Sequence, residues 1–148
     1  MLLLQPIAVT GTKEGLTSPQ RGSLFRASVA ITKLCPNSRM SLHHGDCIGA
    51  DAEMHDIAKE LGWHVEIHPP ILNKYRALCK DADIIHAEYD YLTRNRHLVD
   101  AAPILFSCPK EMHEELRSGT WAATRYARKK HKKIYTFWPD GKVDLHHF

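Results

Sequence analysis

The stretch that most constrains this chain is residues 41–53, SLHHGDCIGADAE. It reads as the end of a strand, a turn bracketed by Gly45 and Gly49, and an amphipathic helix that starts at once. Such a turn aims backbone N–H groups at one point. The positive end of the helix macrodipole lies at the same point, which suits an anion and most often a phosphate. Glycine at both positions removes Cβ atoms that would bar close approach or a positive φ. The spacing G-D-C-I-G-A-D is neither the P-loop pattern nor the dinucleotide fingerprint, and a glycine-bracketed turn can equally be a plain connector.

At 148 residues, 43% of them hydrophobic and 25% charged, the chain has the make-up of one globular domain spanning 1–148. A net charge of +3 is below what a dedicated DNA-binding domain carries. Cys35, Cys47, Cys79 and Cys108 form no C-x-x-C pair, which argues against a zinc knuckle or a disulfide framework and fits a reducing cytoplasm. The apolar residues 1–9 are interrupted by Gln5 and Pro6 and lack a basic leader, so they read as a first strand and not as a signal peptide. No apolar run is long enough to span a membrane.

The first strand, 2–10, runs into Thr10-Gly11-Thr12, a second small-residue turn. Thr17-Ser18-Pro19 predicts a helix start, with a capping hydroxyl and a proline in the first turn, and the helix runs to about Leu34. A strand at 40–43 leads to the central turn, and a helix from Asp51 ends at Gly62. A strand at 63–67 stops at Pro69-Pro70. Residues 71–89 have no clean period and are expected as a loop with short elements. A helix at 91–101, a strand at 103–107 and a loop at 109–117 follow. Ser118-Gly119-Thr120 opens the last long helix, a strand at 134–138 closes the core, and 139–141 turn into a short tail. Alternating strands and helices predict a doubly wound, mainly parallel α/β sheet of the Rossmann-like kind. Ligands in such sheets bind beyond the carboxyl ends of the strands, where the three small-residue turns would converge.

Taken in order, TGT, HHGDCIGAD, HPP, YLTRN, RSGTW with its helix, and WPDG resemble the SLOG superfamily across nearly the whole chain. That group joins the DNA-processing protein DprA, the LOG phosphoribohydrolases and small YspA-like proteins, and this chain is most similar to the stand-alone YspA-like members. The resemblance implies a Rossmann-like sheet binding a nucleotide or nucleotide-derived ligand, no resident cofactor, and self-association as a homodimer or larger assembly. In LOG enzymes the N-glycosidic bond of a nucleoside 5′-monophosphate is hydrolysed, with a late motif PGGxGTxxE and an upstream catalytic arginine. Arg94 falls at the arginine's position and Gly119-Thr120 at the GT. Ala123 stands where the glutamate would be, and Arg117-Ser118 replace the doubled glycine, so hydrolysis would need a carboxylate from elsewhere.

Glycosidic cleavage calls for a carboxylate and for stabilisation of the leaving base. Asp46, Asp51 and Glu53 are the carboxylates beside the central turn, and Arg94, Asp46 and Glu53 are the catalytic candidates. Each has a plainer role open to it: Asp46 in an Asx turn, Asp51 as a helix N-cap, Glu53 in dipole compensation. The ligand-binding candidates are Thr10, Gly11 and Thr12; Gly45, Asp46, Gly49, Ala50 and Asp51; Arg94 and Asn95; and Arg117, Ser118, Gly119, Thr120 and Trp121. Arg94 offers a fork for a phosphate or a salt bridge, Ser118 a phosphate contact or an N-cap, and Trp121 a stacking face or core packing. His43, His44, Cys47 and His55 have metal-ligand chemistry, but 43 and 44 face opposite sides of a strand and no second pair completes a tetrahedron. No metal is therefore expected. The run 128–133, RKKHKK, either meets nucleic acid, as in DprA-like single-strand binding, or complements its helix dipole; the second reading is preferred because no aromatic interleaves. The expected function is nucleotide binding as sensor, carrier or sequestering module, with phosphoribohydrolase activity as the alternative.

Overall fold

The computed structural model describes residues 2–147. Met1 and Phe148, the ends of the expected 1–148 domain, lie outside the described residues. The chain runs β1 (Leu3–Gly11), α1 (Ser18–Leu34), β2 (Ser38–His44), α2 (Ala50–Glu60), β3 (His64–Ile67), β4 (Ile84–Ile85), α3 (Tyr91–Asp100), β5 (Ile104–Cys108), α4 (Gly119–Lys129), β6 (Lys133–Phe137) and β7 (Val143–His146). Among the described residues the strands form one seven-stranded sheet in the order β4-β3-β2-β1-β5-β6-β7. All neighbours pair in parallel except β6 and β7, which are antiparallel. The α/β doubly wound fold expected from the alternation is the fold observed.

β1 occupies the centre because it can be buried on both faces, and Ile7, Ala8 and Val9 are all at most 1% exposed. Pro6, which cannot donate to a ladder, sits opposite Ser41 of β2, while pairing with β5 begins only at Ile7. Successive side chains alternate between faces, which gives two cores. On one face Val9, Leu42 and Phe106 meet Leu24 of α1 and Met54, Ile57 and Ala58 of α2. On the other, Ala8, Leu105 and Ile134 meet Leu98 and Val99 of α3 and Ala123 and Ala127 of α4.

Local signals set most boundaries. Thr17 caps α1 through a capping box with Gln20, and the proline sits in the first turn. Ser118 caps α4 by accepting from the Trp121 N–H at 3.3 Å. Two expectations change. The N-cap of α2 is Gly49 at φ 87°, not Asp51, which lies inside the first turn. The tail after Gly141 is not irregular: it returns as β7 and pairs with β6, because the turn at 139–142 reverses the chain against an open edge. The irregular stretch 71–89 holds only the two-residue β4.

Candidate functional site

The sheet order reverses between β1 and β5, since the chain leaves β1 toward β2 and leaves β5 toward β6. A cavity of about 450 Å3 opens there, beyond the carboxyl ends of these strands. Its walls come from the turn after β1, the start of α2, the loop before α4 and one side of α3. Thr10, Gly11, Thr12, Asp51, Arg94, Asn95, Arg117, Ser118, Gly119 and Thr120 all line it. Those are ten of the sequence candidates, drawn together from four separate segments.

The remaining candidates do not reach it, for physical reasons. The central turn is already an anion site, and its anion is the chain's own. Asp51 Oδ2 accepts from the N–H groups of Gly45 at 3.1 Å and Cys47 at 3.2 Å. The Ile48 N–H donates to the Tyr75 carbonyl and the Ala50 N–H to the Thr12 carbonyl, both at 2.8 Å. The row of amides expected to face a phosphate is therefore largely spent inside the protein. Gly45 and Gly49 serve close approach instead: a Cβ on Gly45 would enter the Arg94 guanidinium, and one on Gly49 would strike the backbone of Thr12 and Lys13. Ala50 packs under Gly11 in the same way.

Asp46 is turned into the protein as a structural tether. It takes φ 57° and is 1% exposed. Its carboxylate accepts from Arg76 Nε at 2.8 Å and the Cys79 N–H at 2.9 Å, and its carbonyl from the Ala77 N–H at 2.7 Å. Burial works against the charge, but the Cys79 N–H and Arg76 outweigh it and hold the carboxyl below its ordinary range. Through these bonds Asp46 pins the loop that brings Tyr75 into the cavity wall. Glu53 turns away, accepting from the Leu16 N–H at 2.8 Å and Arg21 Nη1 at 3.1 Å. Trp121 is core: 2% exposed, tilted on Trp138 with centroids 5.7 Å apart, its Nε1–H donating to Glu111 at 3.1 Å.

Arg94, 7% exposed, does two jobs at once. Its Nη1 donates to the carbonyls of Gly45 (2.6 Å) and His68 (3.2 Å), tying the ends of β2 and β3 together, and Nε donates to Asn95 Oδ1 at 2.8 Å. Its guanidinium lies 5.4 Å from the Tyr91 ring, on the cavity wall. Burial pushes the Asp51 carboxyl up to about 6, against the pull of Arg94 and the two amides. A carboxyl that changes charge near neutrality in a cleft is suited to moving a proton.

Sequence reasoning missed several wall residues. Lys13 follows the TGT turn directly and lies 3.9 Å over the Tyr75 ring, so its adjacency was a usable signal. Glu14, Glu111 and Glu115 bring carboxylates, and Lys110, which pairs with Glu14 at 3.2 Å, a cation. Tyr75, Glu111 and Glu115 sit in loops whose sequence has no period to reveal where they point. Ala123, on the core face of α4, is 2% exposed and packed among the buried residues of that cluster. The basic run is divided: Arg128 donates to Glu114 at 2.8 Å, Lys130 caps α4, and Lys133 begins β6.

His43 and His44 do face opposite sides of the sheet, and each meets other histidines there. His44 and His55 lie 2.9 Å apart beside Cys79, and His43 and His68 lie 2.9 Å apart beside His86. Burial, together with the facing His55, holds His44 at about 3, and burial with the neighbouring His86 and His43 does the same for His68.

No protein-family model matches the chain, and no curated protein matches it. Solved structures do. The molybdenum cofactor binding protein from the phototrophic bacterium Rippkaea orientalis superposes with a TM-score of 0.68 over 92% of this chain and 77% of that one, at 16% identity. TM1055, a structural-genomics target solved by X-ray crystallography, superposes at 0.64 over 88% of this chain and 72% of that one, at 15% identity. This chain is thus a Rossmann-like α/β protein with a small-molecule-sized cleft at its switch point. Among the described residues no helix is long and apolar enough to cross a membrane.

Proposed function

We propose that this chain is a SLOG-type binding protein for a nucleotide or nucleotide-derived ligand, such as a nucleoside monophosphate or an ADP-ribose-like molecule. The observation that carries the reading is the cleft itself, at the switch point, with Thr10–Thr12, Arg94 and Ser118–Thr120 on its wall. The phosphate belongs at the amino end of α4, where Ser118, Gly119 and Thr120 meet the helix dipole, with Arg117, Lys13 and Lys110 as the cations elsewhere on the cavity wall. The base belongs against Tyr91 and Leu98. Rippkaea's molybdenum cofactor binding protein, similar in fold, supports a small-molecule role for this architecture. The reading includes the family's self-association, which a monomer mass by light scattering would contradict.

A hydrolytic variant of the reading has one observation in its favour: Asp51, its carboxyl pushed up to about 6 by burial, lines the cleft together with Arg94 and is a candidate substitute for the missing glutamate. One experiment separates the two. The protein is screened by thermal shift against nucleoside monophosphates, ADP-ribose, NAD and cyclic dinucleotides, and each mixture is then chromatographed. Binding without turnover raises the melting temperature and returns the compound intact; at a hundredfold excess over Kd the gain is about 2.7 kcal/mol. Release of free base and sugar phosphate, lost in Asp51→Asn, identifies the hydrolase. No stabilisation by any of them counts against the site.

A further inference from the structure

Two clusters of three metal-ligating side chains lie on opposite faces of β2: His43, His68 and His86, and His44, His55 and Cys79. Within each, one ligand atom per residue lies within 4.8 Å of the others. Hydrogen bonding separates them. In the second cluster the Asp46 N–H donates to His44 Nδ1 at 2.9 Å, so the His44 proton sits on Nε2. That proton is donated to His55 Nδ1 at 2.9 Å, and the His55 Nε2–H is donated to the Lys80 carbonyl at 2.7 Å. Every ring nitrogen in that relay is used, and neither imidazole has a lone pair left for a cation. It is a neutral structural chain that links the end of β2 to α2 and the following loop.

The first cluster is built the other way. Glu66 of β3, its side chain 12% exposed, faces several imidazoles at once. Its Oε1 accepts from His86 Nε2 at 2.7 Å and its Oε2 from His64 Nε2 at 3.1 Å; His43 Nε2 lies farther off, 3.8 Å from Oε2, and has Ser41 Oγ at 3.4 Å. A carboxylate on the far nitrogen of an imidazole fixes the tautomer and turns the near nitrogen toward a metal, the arrangement that orients histidine ligands in metalloproteins. His43 Nδ1 faces His68 Nε2 at 2.9 Å, a pair sharing one proton that an entering ion would displace, and the His86 nitrogen that Glu66 does not hold is Nδ1. His43 and His68 are buried at the ends of β2 and β3, held in place by the sheet. His86 is stacked on His68 with centroids 4.2 Å apart and must turn to close on an ion; its side chain is 40% exposed, so room exists. A cavity of about 240 Å3, bounded by His68, His86, Tyr89, Arg94 and His97, adjoins two of the three imidazoles.

We propose that His43, His68 and His86, oriented by Glu66, form a three-histidine site for a divalent transition-metal ion of the zinc class, with an open fourth position facing the small cavity beside Arg94. All-imidazole donors with one open position suit zinc or cobalt and exclude magnesium and calcium, which require oxygen ligands. The site is independent of the nucleotide reading, though Arg94 borders both cavities.

The test uses the full chain, stripped with a chelator and titrated with Co2+ and then Zn2+, followed by visible absorption and calorimetry. The expected result is about one equivalent of Co2+ with tetrahedral d–d bands, displaced by Zn2+. His86→Ala, a change at a partly exposed side chain, should abolish those bands while the melting temperature stays close to that of the parent. Glu66→Gln should weaken Co2+ by roughly 10–100-fold. The double substitution His146→Ala and His147→Ala, in the tail, should leave binding intact. Absence of stoichiometric binding overturns the proposal. So does a near-ultraviolet thiolate-to-cobalt band lost in Cys79→Ser, which would put the ion in the other cluster, or loss of binding in the tail variant.

Discussion

Asp51 shows how one side chain can occupy a site that its own neighbours predict for a ligand. A glycine-bracketed turn collects amides, and the nearest carboxylate fills it unless something else does; here Asp51 does so from the first turn of α2. Its carboxyl is near 3.8 when exposed and about 6 in the fold, because burial outweighs Arg94 and the amides. The folded state therefore holds the proton more tightly, and stability falls as pH rises across that interval. The whole effect is about 3 kcal/mol. Asp51→Asn should accordingly gain stability over the parent by up to that amount on going from about pH 4 to about pH 7, measured by urea unfolding; a pH-independent difference would contradict the raised carboxyl. Asp46 makes the opposite case. Asp46→Asn should cost roughly 1–3 kcal/mol, since the charged acceptor for Arg76 and the Cys79 N–H is lost. Ligand affinity should fall only as far as the Tyr75 loop loosens. Gly49→Ala faces both a positive φ of 87° and the Thr12–Lys13 backbone, so it should destabilise by more than the ~1–3 kcal/mol of the strain alone. Circular-dichroism melts would read both.

At the scale of elements, α1 is fastened by its first turn more than by its length. Gln20 closes the capping box with Thr17, and its Nε2 donates to the carbonyls of Pro109 at 2.8 Å and Phe137 at 2.7 Å. One buried amide thus ties the start of α1 to the ends of β5 and β6, the first of which borders the switch point. Gln20→Met would fill the space and leave two buried carbonyls without donors, an expected loss of roughly 2–4 kcal/mol in chemical unfolding. Thr17→Ala, which removes only the cap, should cost about 1 kcal/mol. Capping was legible in the sequence because it acts over three residues. The tether was not, since its partners lie 89 and 117 positions away. β7 escaped notice for a related reason: its four residues are all exposed, the Val143/Leu145 alternation is too short to stand out, and the strand exists because β6 offers it an edge.

Across the whole molecule, a cleft at a switch point is lined by the ends of elements from both halves of the sheet. Ligand binding should therefore slow amide hydrogen exchange in the loops 73–80 and 109–117 and leave β7 unchanged; protection confined to β7 would place the ligand elsewhere. Sequence alone determined the order of strands and helices, the parallel sheet and the three turns at its carboxyl edge, because these follow from local hydrophobic period, capping and glycine placement. It also marked Arg94 and the 118–120 turn as neighbours of the cleft, through motif order. Tertiary structure alone decided which of these groups face the cavity. Asp46, Asp51 and Glu53 are indistinguishable as carboxylates beside one turn, yet distant partners send the first to Arg76 and the third to α1, while the second turns back onto the turn's own amides at the edge of the cavity. The same holds for His43 and His44. Adjacent and chemically identical in the sequence, they are separated by the pleat, and hydrogen bonds to histidines on other elements make one a link in a closed relay and set the other in the His43–His68–His86 cluster.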